Sequence, residues 1–292
     1  MLWRGTMRLR CRAIREEDLS AVAGLLSRGF PARGLKYWTA GLGRLSARSA
    51  VGNYPRHGYL LEEDGEVCGV VLTIFSECVT NGEKHVRCNV SSWYVEPRLK
   101  SYAAMLTSFA QRDEDVTYLN VSPAPHTRPI IEAQGFQRFC NGQLVSTPLF
   151  QRRNTGVRAL AFTDGAPEGE RLTQYERDLI AVHVEQGCIA MTCAHEGQVY
   201  PFIFLPRTMF NGKAPCLHLI FCRRMEDFVR FAGALGRALI WKKHLLVVVD
   251  SNGPIPGLPG RYFPDLGPKY FKGPRPPALG DMAHTEGVFF HR

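Results

Sequence analysis

"NVSSWYVEPRLKSYAAMLTSF", Asn89 to Phe109, reads as a strand running into a helix. The strand covers Val86 to Val95, and Pro97 ends it because proline has no N–H for a ladder. Leu99, Tyr102, Ala103, Leu106 and Phe109 then recur at helical spacing, which predicts a helix over residues 98–112. Junctions of this kind often hold phosphates, usually through glycines, and here there are none. Within the strand, Val86, Cys88 and Val90 share one face, but Trp93 and Val95 continue the apolar pattern on odd numbers. A slip of one residue sends every later side chain to the other face. Two structures accommodate it. One is a β-bulge across Ser91–Ser92, which leaves a backbone group unpaired. The other is a strand buried on both faces, which needs no bulge.

Upstream, residues 8–13 alternate as a strand, and "REEDLSAVAGLLSRGF" follows as an amphipathic helix with acids in its first turn, where the helix dipole favours them. "LKYWTAGLGRL" is a second helix. "GYLLEEDGEVCGVVLTIFS" is a hairpin about Glu63-Asp64-Gly65. Downstream come a strand over 116–123, a short helix near 126–134, and two closing strands in "GFQRFCNGQLVSTPLF".

That order recurs. Residues 187–210 mirror the hairpin, with Glu196-Gly197 at the turn, and "PCLHLIFCRR" mirrors the strand of the opening stretch. "FVRFAGALGRALIWKK" mirrors the helix and "HLLVVVDSNG" the strand after it. Gly58 to Gly187 and Tyr118 to Val247 are each 129 residues apart, so the unit is read as duplicated. The expected division is residues 1–150 and 151–292. The second unit departs where "SNGPIPGLPGRYFPDLGPKYFKGPRPPALG" replaces a compact helix. That run is too rich in proline and glycine to predict regular structure. "DMAHTEGVFF" reads as a final strand.

The 292 residues are 45% hydrophobic and 22% charged, which gives a sizeable core and excludes a disordered chain. No apolar run nears the roughly 20 residues that span a bilayer. "MLWRGTMRLRCR" lacks a hydrophobic signal core, and Met7 is an alternative start of the fold. The nine cysteines lie mostly inside apolar runs, as expected of core thiols in a reducing cytoplasm. Cys188, Cys193 and His195 match no tetrahedral zinc spacing, so no metal is expected. A formal charge of +9 favours an anionic partner without choosing one.

The first unit resembles the GNAT superfamily of acyl-CoA-dependent N-acyltransferases. The resemblance covers about residues 7–150 and, more faintly, 160–292. It rests on the order of elements and on "WYVEPRLKSYAAML" as that family's core strand, turn and helix. It rests also on Glu132-Ala133-Gln134-Gly135-Phe136, which looks like the family's E-K-x-G-F helix end. It implies an α/β fold of the α+β type, with two tandem units, each a mixed sheet flanked by helices, the second degenerate. It also implies that the bulged strand splays from its parallel neighbour to admit the pantetheine of acetyl-CoA or another acyl-CoA. A free amide near Tyr94 or Val95 would polarise the thioester carbonyl. The co-substrate site would then comprise Trp93, Tyr94, Val95, Arg98, Lys100, Ser101, Tyr102 and Ala103.

Two departures stand out. In the family's Arg/Gln-x-x-Gly-x-Gly/Ala turn, Lys100 takes the arginine place, while Ala103 and Met105 take the two glycine places. The helix tyrosine that protonates the leaving thiolate falls at Ile131, and the family asparagine at Ala124. Ser122, His126 and Tyr118 are the nearby polar groups, and Ser122 and His126 are the candidate catalytic residues. In the second unit, Arg230-x-x-Gly233 is followed by Gly236 one residue late. Small residues at that spacing serve either a second phosphate site or close packing.

Arg261, Tyr262, Lys269, Tyr270, Lys272 and Arg275 interleave cations with aromatics. Such a run suits a nucleic acid strand, a phosphorylated or sugar acceptor, or a packed loop with solvated cations. No nucleic-acid motif accompanies it, which argues against the first. The leading expectation is a cytoplasmic acyltransferase, without a membrane partner, acting on a small-molecule or peptide amine. The alternative is a GNAT-fold module that binds CoA or another anion without transfer. The acceptor and the oligomeric state have no signature in the sequence.

Overall fold

The structure, a computed structural model, describes residues 9–80, 82–151, 157–162, 169–209, 212 and 214–290. Met7 lies outside them. No helix among the described residues is long and apolar enough to cross a membrane. The chain forms two compact units.

The first unit takes the chain up to Ser122, Phe271–Arg275 and the residues from His284 on. Its strands are β1 (Leu9–Ala13), β2 (Gly58–Glu63), β3 (Glu66–Thr80), β4 (Glu83–Val95) and β5 (Thr117–Asn120), side by side in that order. All neighbours are antiparallel except β4 and β5, which are parallel. The hairpin β2–β3 turns on Asp64 and Gly65, both left-handed at φ 49° and 91°, as a tight hairpin with matching strand twist requires. The helices are α1 (Leu19–Gly29), α2 (Leu35–Ser46) and α3 (Ala103–Ala110). Both α1 and α3 pack on β3, and every residue of β3 from Cys68 to Ser76 is buried. Leu25, Leu26, Leu42, Leu45, Leu60 and Leu61 form the fully buried centre. Each such side chain contributes about 1.5–3 kcal/mol on leaving water.

The second unit holds Pro123–Tyr270 and Pro276–Ala283. Its helices are α4 (Arg128–Ala133), α5 (Gln174–Glu185) and α6 (Met225–Ile240). Its strands are β6 (Gln137–Ser146), β7 (Arg158–Ala161), β8 (Ile189–His195), β9 (Gln198–Met209), β10 (Ala214–Cys222), β11 (Leu246–Ser251) and β12 (Gly260–Lys272), the last leaving this unit after Tyr270. Their order is β12-β6-β11-β10-β9-β8-β7, and β10–β11 is a parallel pair. Phe202, Phe204, Phe228, Phe231 and Leu235 fill the space between α6 and the sheet.

Residues 187–253 thus form hairpin, strand, helix and strand in the predicted order. The hairpin turn again uses two left-handed residues, Glu196 and Gly197 at φ 49° and 76°. The last parallel rungs of the two units, Asn89–Leu119 and His218–Val248, keep the 129-residue offset.

Four expectations are corrected. The units do not part at 150: β6 pairs antiparallel with β11, Val247 opposite Ser146, so the first repeat's closing strand sits in the second unit. "GFQRFCNGQLVSTPLF" gives one strand, β6, because a 3-10 turn over Pro148–Phe150 ends the extended chain. The proline-rich run contains the 13-residue strand β12, which takes up Pro264 and Pro268 with left-handed kinks at Asp265 and Gly267, φ 59° and 61°. "DMAHTEGVFF" is not a strand. His284 turns left-handed at φ 56°, and the short helix α7 (Glu286–Phe289) follows.

Candidate active site in the first unit

The slip read from the sequence is a bulge. Val70 opposes Tyr94 and Leu72 opposes Ser91, so two steps on β3 match three on β4, and the extra residue lies at Ser92–Trp93. Ser92 sits at φ 49°, uncommon for a residue with a side chain, and its hydroxyl lies 2.9 Å from that of Ser91. β4 is also buried on both faces from Arg87 to Ser91, but it carries the bulge all the same. Parallel pairing of β4 with β5 runs only from Arg87 to Asn89. From Val90 to Val95, β4 keeps β3 on one side and has no paired strand on its β5 side among the described residues. Backbone groups on that edge are available to a ligand. The Trp93 indole N–H is buried with no hydrogen-bond partner among the described residues, an unmet donor of the kind that a bound group satisfies. Tyr94 is seated on the end of α1, where a Cβ on Gly29 would come within 2.5 Å of its ring.

After Val95 the chain does not enter a regular helix at residue 98. Pro97–Tyr102 form a 3-10 turn with Leu99 off-helical at φ −116°, ψ 18°, and α3 begins at Ala103. Leu99 is buried, which pins the turn. The amide of Ala103 donates to the Lys100 carbonyl. Arg98 is committed to carboxylates. Its guanidinium bonds Glu63 and lies 3.2 Å from Glu96. Lys100 is exposed and has no ion pair among the described residues, and Ser101 is exposed beside it. Tyr102 and Ala103 are half-buried. Lys100 is therefore the free cation of this turn.

Ser122, two residues beyond the end of β5, gives its hydroxyl to Glu286. Ser91, on β4 just past the last parallel rung, gives its hydroxyl to the other oxygen of the same carboxylate. The Glu286 amide donates to Asn89 Oδ1 at 2.6 Å. One carboxylate thus bridges the two parting strands. Its segment is anchored on α2. Tyr37 donates to the Phe290 carbonyl at 2.5 Å and Arg44 to that of Phe289 at 2.9 Å. Sequence reading missed Glu286 because "DMAHTEGVFF" was read as a strand, although Thr285 before Glu286-Gly287 is a helix-start signal. His126 makes no hydrogen bond or ion pair with this cluster among the described residues. It is exposed on the turn Pro125–Thr127 of the second unit, with no partner among the described residues. Ile131 is buried, and burial raises the Tyr118 phenol above its ordinary range, where its oxygen accepts from the Asp113 amide at 3.3 Å.

The second unit has the same device in a closed form. β10 carries an extra residue at Ile220 opposite β9, and its parallel pairing with β11 ends at His218. There the chain's own residues occupy the free edge. The Met282 amide donates to the Ile220 carbonyl at 2.7 Å, and the Cys222 amide to the Gly280 carbonyl at 2.9 Å. The glycines of α6 serve packing. A Cβ on Gly236 would stand 2.3 Å from the Leu149 nitrogen, and the Gly233 amide donates to Gln151 at 2.8 Å. In the basic aromatic run, Lys269 and Tyr270 are buried and Arg275 pairs with Glu83 at 2.9 Å. Cys188 and Cys193 are core thiols, each pushed by burial up to about 12.

No family model and no curated protein sequence matches the chain. Solved structures do. A GCN5-related N-acetyltransferase from Anabaena variabilis matches with a TM-score of 0.58 at 11% identity, over 90% of this chain and 72% of its own. One from Sphaerobacter thermophilus matches with a TM-score of 0.51 at 14% identity, over 94% and 98%. Eis1 from Mycobacterium abscessus matches with a TM-score of 0.52 at 11% identity, over 94% and 74%. The chain has the fold of the GCN5-related N-acetyltransferases.

Proposed function

We propose that the chain is an acyl-CoA-dependent N-acyltransferase, with its co-substrate site in the first unit and an amine as acceptor. The observation that carries this reading is the open edge of β4. The strand is bulged at Ser92–Trp93 and parts from β5 after Asn89, and among the described residues no backbone pairing closes this edge as it closes the equivalent edge of the second unit. An extended pantetheine arm carries amides that suit such an edge, and the buried Trp93 N–H offers a further donor. A backbone amide near Tyr94 or Val95 would meet the oxygen that gains charge during transfer. Lys100 is the cation for the phosphates, and acetyl-CoA is the simplest donor to try. A thiol with a pKa near 8.5 leaves as thiolate with modest help, so the apolar Ile131 in the family tyrosine's place does not forbid transfer. That same residue favours the second reading, a module that binds an acyl-CoA without turnover.

Thiol release from acetyl-CoA across a panel of amines separates the two. Turnover with at least one amine is expected. Binding of acetyl-CoA with no release for any amine would favour the module. Lys100→Ala should weaken acetyl-CoA by about 1–3 kcal/mol in calorimetry, the worth of a lost charge-assisted bond. An unchanged affinity would remove Lys100 from the site.

A further inference from the structure

Glu286 lies outside every motif that defines the fold, and it belongs to a segment that follows the whole second repeat. Its carboxylate nevertheless sits where β4 and β5 part, with Ser91 of one arm on one oxygen and Ser122 of the other arm on the second. All of its described partners are neutral. Besides the two hydroxyls these are Asn89, which accepts from the Glu286 amide at 2.6 Å, and the Phe290 amide, which donates to the Glu286 carbonyl at 2.8 Å. Hydroxyl donors stabilise an ionised carboxylate and fix its orientation without cancelling its charge. The cations packed near this segment are occupied. Arg44 donates to the Phe289 carbonyl at 2.9 Å, and Arg48 to the Phe75 carbonyl at 2.9 Å while lying over the Phe289 ring. Glu286 has no ion pair among the described residues. A half-buried carboxylate without a counter-ion is costly to keep, and a positively charged ligand is the natural group to complete it.

We infer that Glu286 receives the acceptor and takes its proton, and that the acceptor is therefore an aliphatic amine, protonated at neutral pH. This rests on the acyltransfer reading. The ammonium docks on the carboxylate and gives it one proton. The freed nitrogen lone pair forms the C–N bond to the thioester carbonyl carbon. The C–S bond breaks, and the departing sulfur takes the second proton from nitrogen and leaves as the thiol. Charge and protons balance: ammonium, thioester and carboxylate become amide, thiol and carboxylic acid. Ser91 and Ser122 are positioning residues, since they act by holding Glu286.

The test is the transfer rate of Glu286→Gln, read against pH and against the pKa of the amine. Native protein should keep its kcat/KM at pH values well below the pKa of the amine, whereas the Glu286→Gln rate should rise with pH as the free amine forms. The variant should lose about 100- to 10,000-fold in kcat with amines protonated in the assay, the range of a positioned base. It should lose far less with amines of low pKa that are already neutral. Its affinity for acetyl-CoA should stay native. Glu286→Asp keeps the charge and should fall between the two, and it serves if the glutamine variant fails to fold. A Glu286→Gln rate and pH profile equal to native, or equal losses for amines of high and low pKa, would overturn the assignment alone. No transfer by the native protein would overturn the acyltransfer reading, and this assignment with it.

Discussion

At the scale of single residues, the costliest feature lies in the second unit. Asp250 is fully buried on β11, with Lys269 Nζ at 2.6 Å, His218 Nε2 at 3.1 Å and Gln143 Nε2 at 3.1 Å. Burial alone would raise its carboxyl, but the positive charges and hydrogen bonds of His218 and Lys269 outweigh that and hold it below the carboxylate range. A depressed carboxyl contributes stability above its unfolded pKa and loses it as acid protonates the folded form. Burial also lowers the His218 imidazole, against the pull of Asp250, so unfolding in mild acid lets that ring take up a proton. In both cases the unfolded chain binds more protons, so stability should fall as pH drops from about 7 to 4. Asp250→Asn leaves the Lys269 ammonium buried with no carboxylate and should cost about 3–5 kcal/mol. Urea midpoints across that pH range check both statements, and a flat profile would refute the first. None of this was legible in the sequence. Lys269 stands among cations that alternate with aromatics, and its partner is brought to it by sheet topology rather than by local spacing. Glu286 escaped for the same reason, because Ser91 and Ser122 meet it only once the end of the chain has returned to the first unit.

At the scale of elements, periodicity was informative wherever packing was regular. The parity change between Val90 and Trp93 left a bulge and a doubly buried strand as alternatives, and the structure has the bulge. Composition misled where proline tolerance depends on edges and kinks. β12 is extended despite Pro264 and Pro268, because left-handed residues at 265 and 267 absorb the irregularity. The glycines of α6 had two readings, and close packing is the one the structure supports. Replacing a mid-helix glycine by alanine normally stabilises by up to about 1 kcal/mol. At Gly236 the sign should reverse, because the new Cβ would meet the Leu149 backbone at 2.3 Å. Gly236→Ala should therefore destabilise by about 1–3 kcal/mol, as overpacking does. Thermal unfolding checks it, and a raised midpoint would show that the Pro148–Phe150 turn yields easily.

At the scale of the whole molecule, duplication was legible as a fixed 129-residue offset, and the last parallel rungs of the two sheets preserve it. The division between units was not. A strand pattern carries no mark of which sheet it joins, and β6 belongs to the second unit. The two repeats keep one device in two states. Residues 280–282 close the β10 edge by backbone pairing, while at the β4 edge the returning chain offers a single carboxylate. An open edge can take a ligand and a closed one cannot, so the repeats should be unequal in binding. Calorimetric titration of the native protein with acetyl-CoA, with no amine present, tests this most directly. One molecule bound per chain is the expected result. Two per chain would show that the second edge opens, and no binding would remove the site on β4.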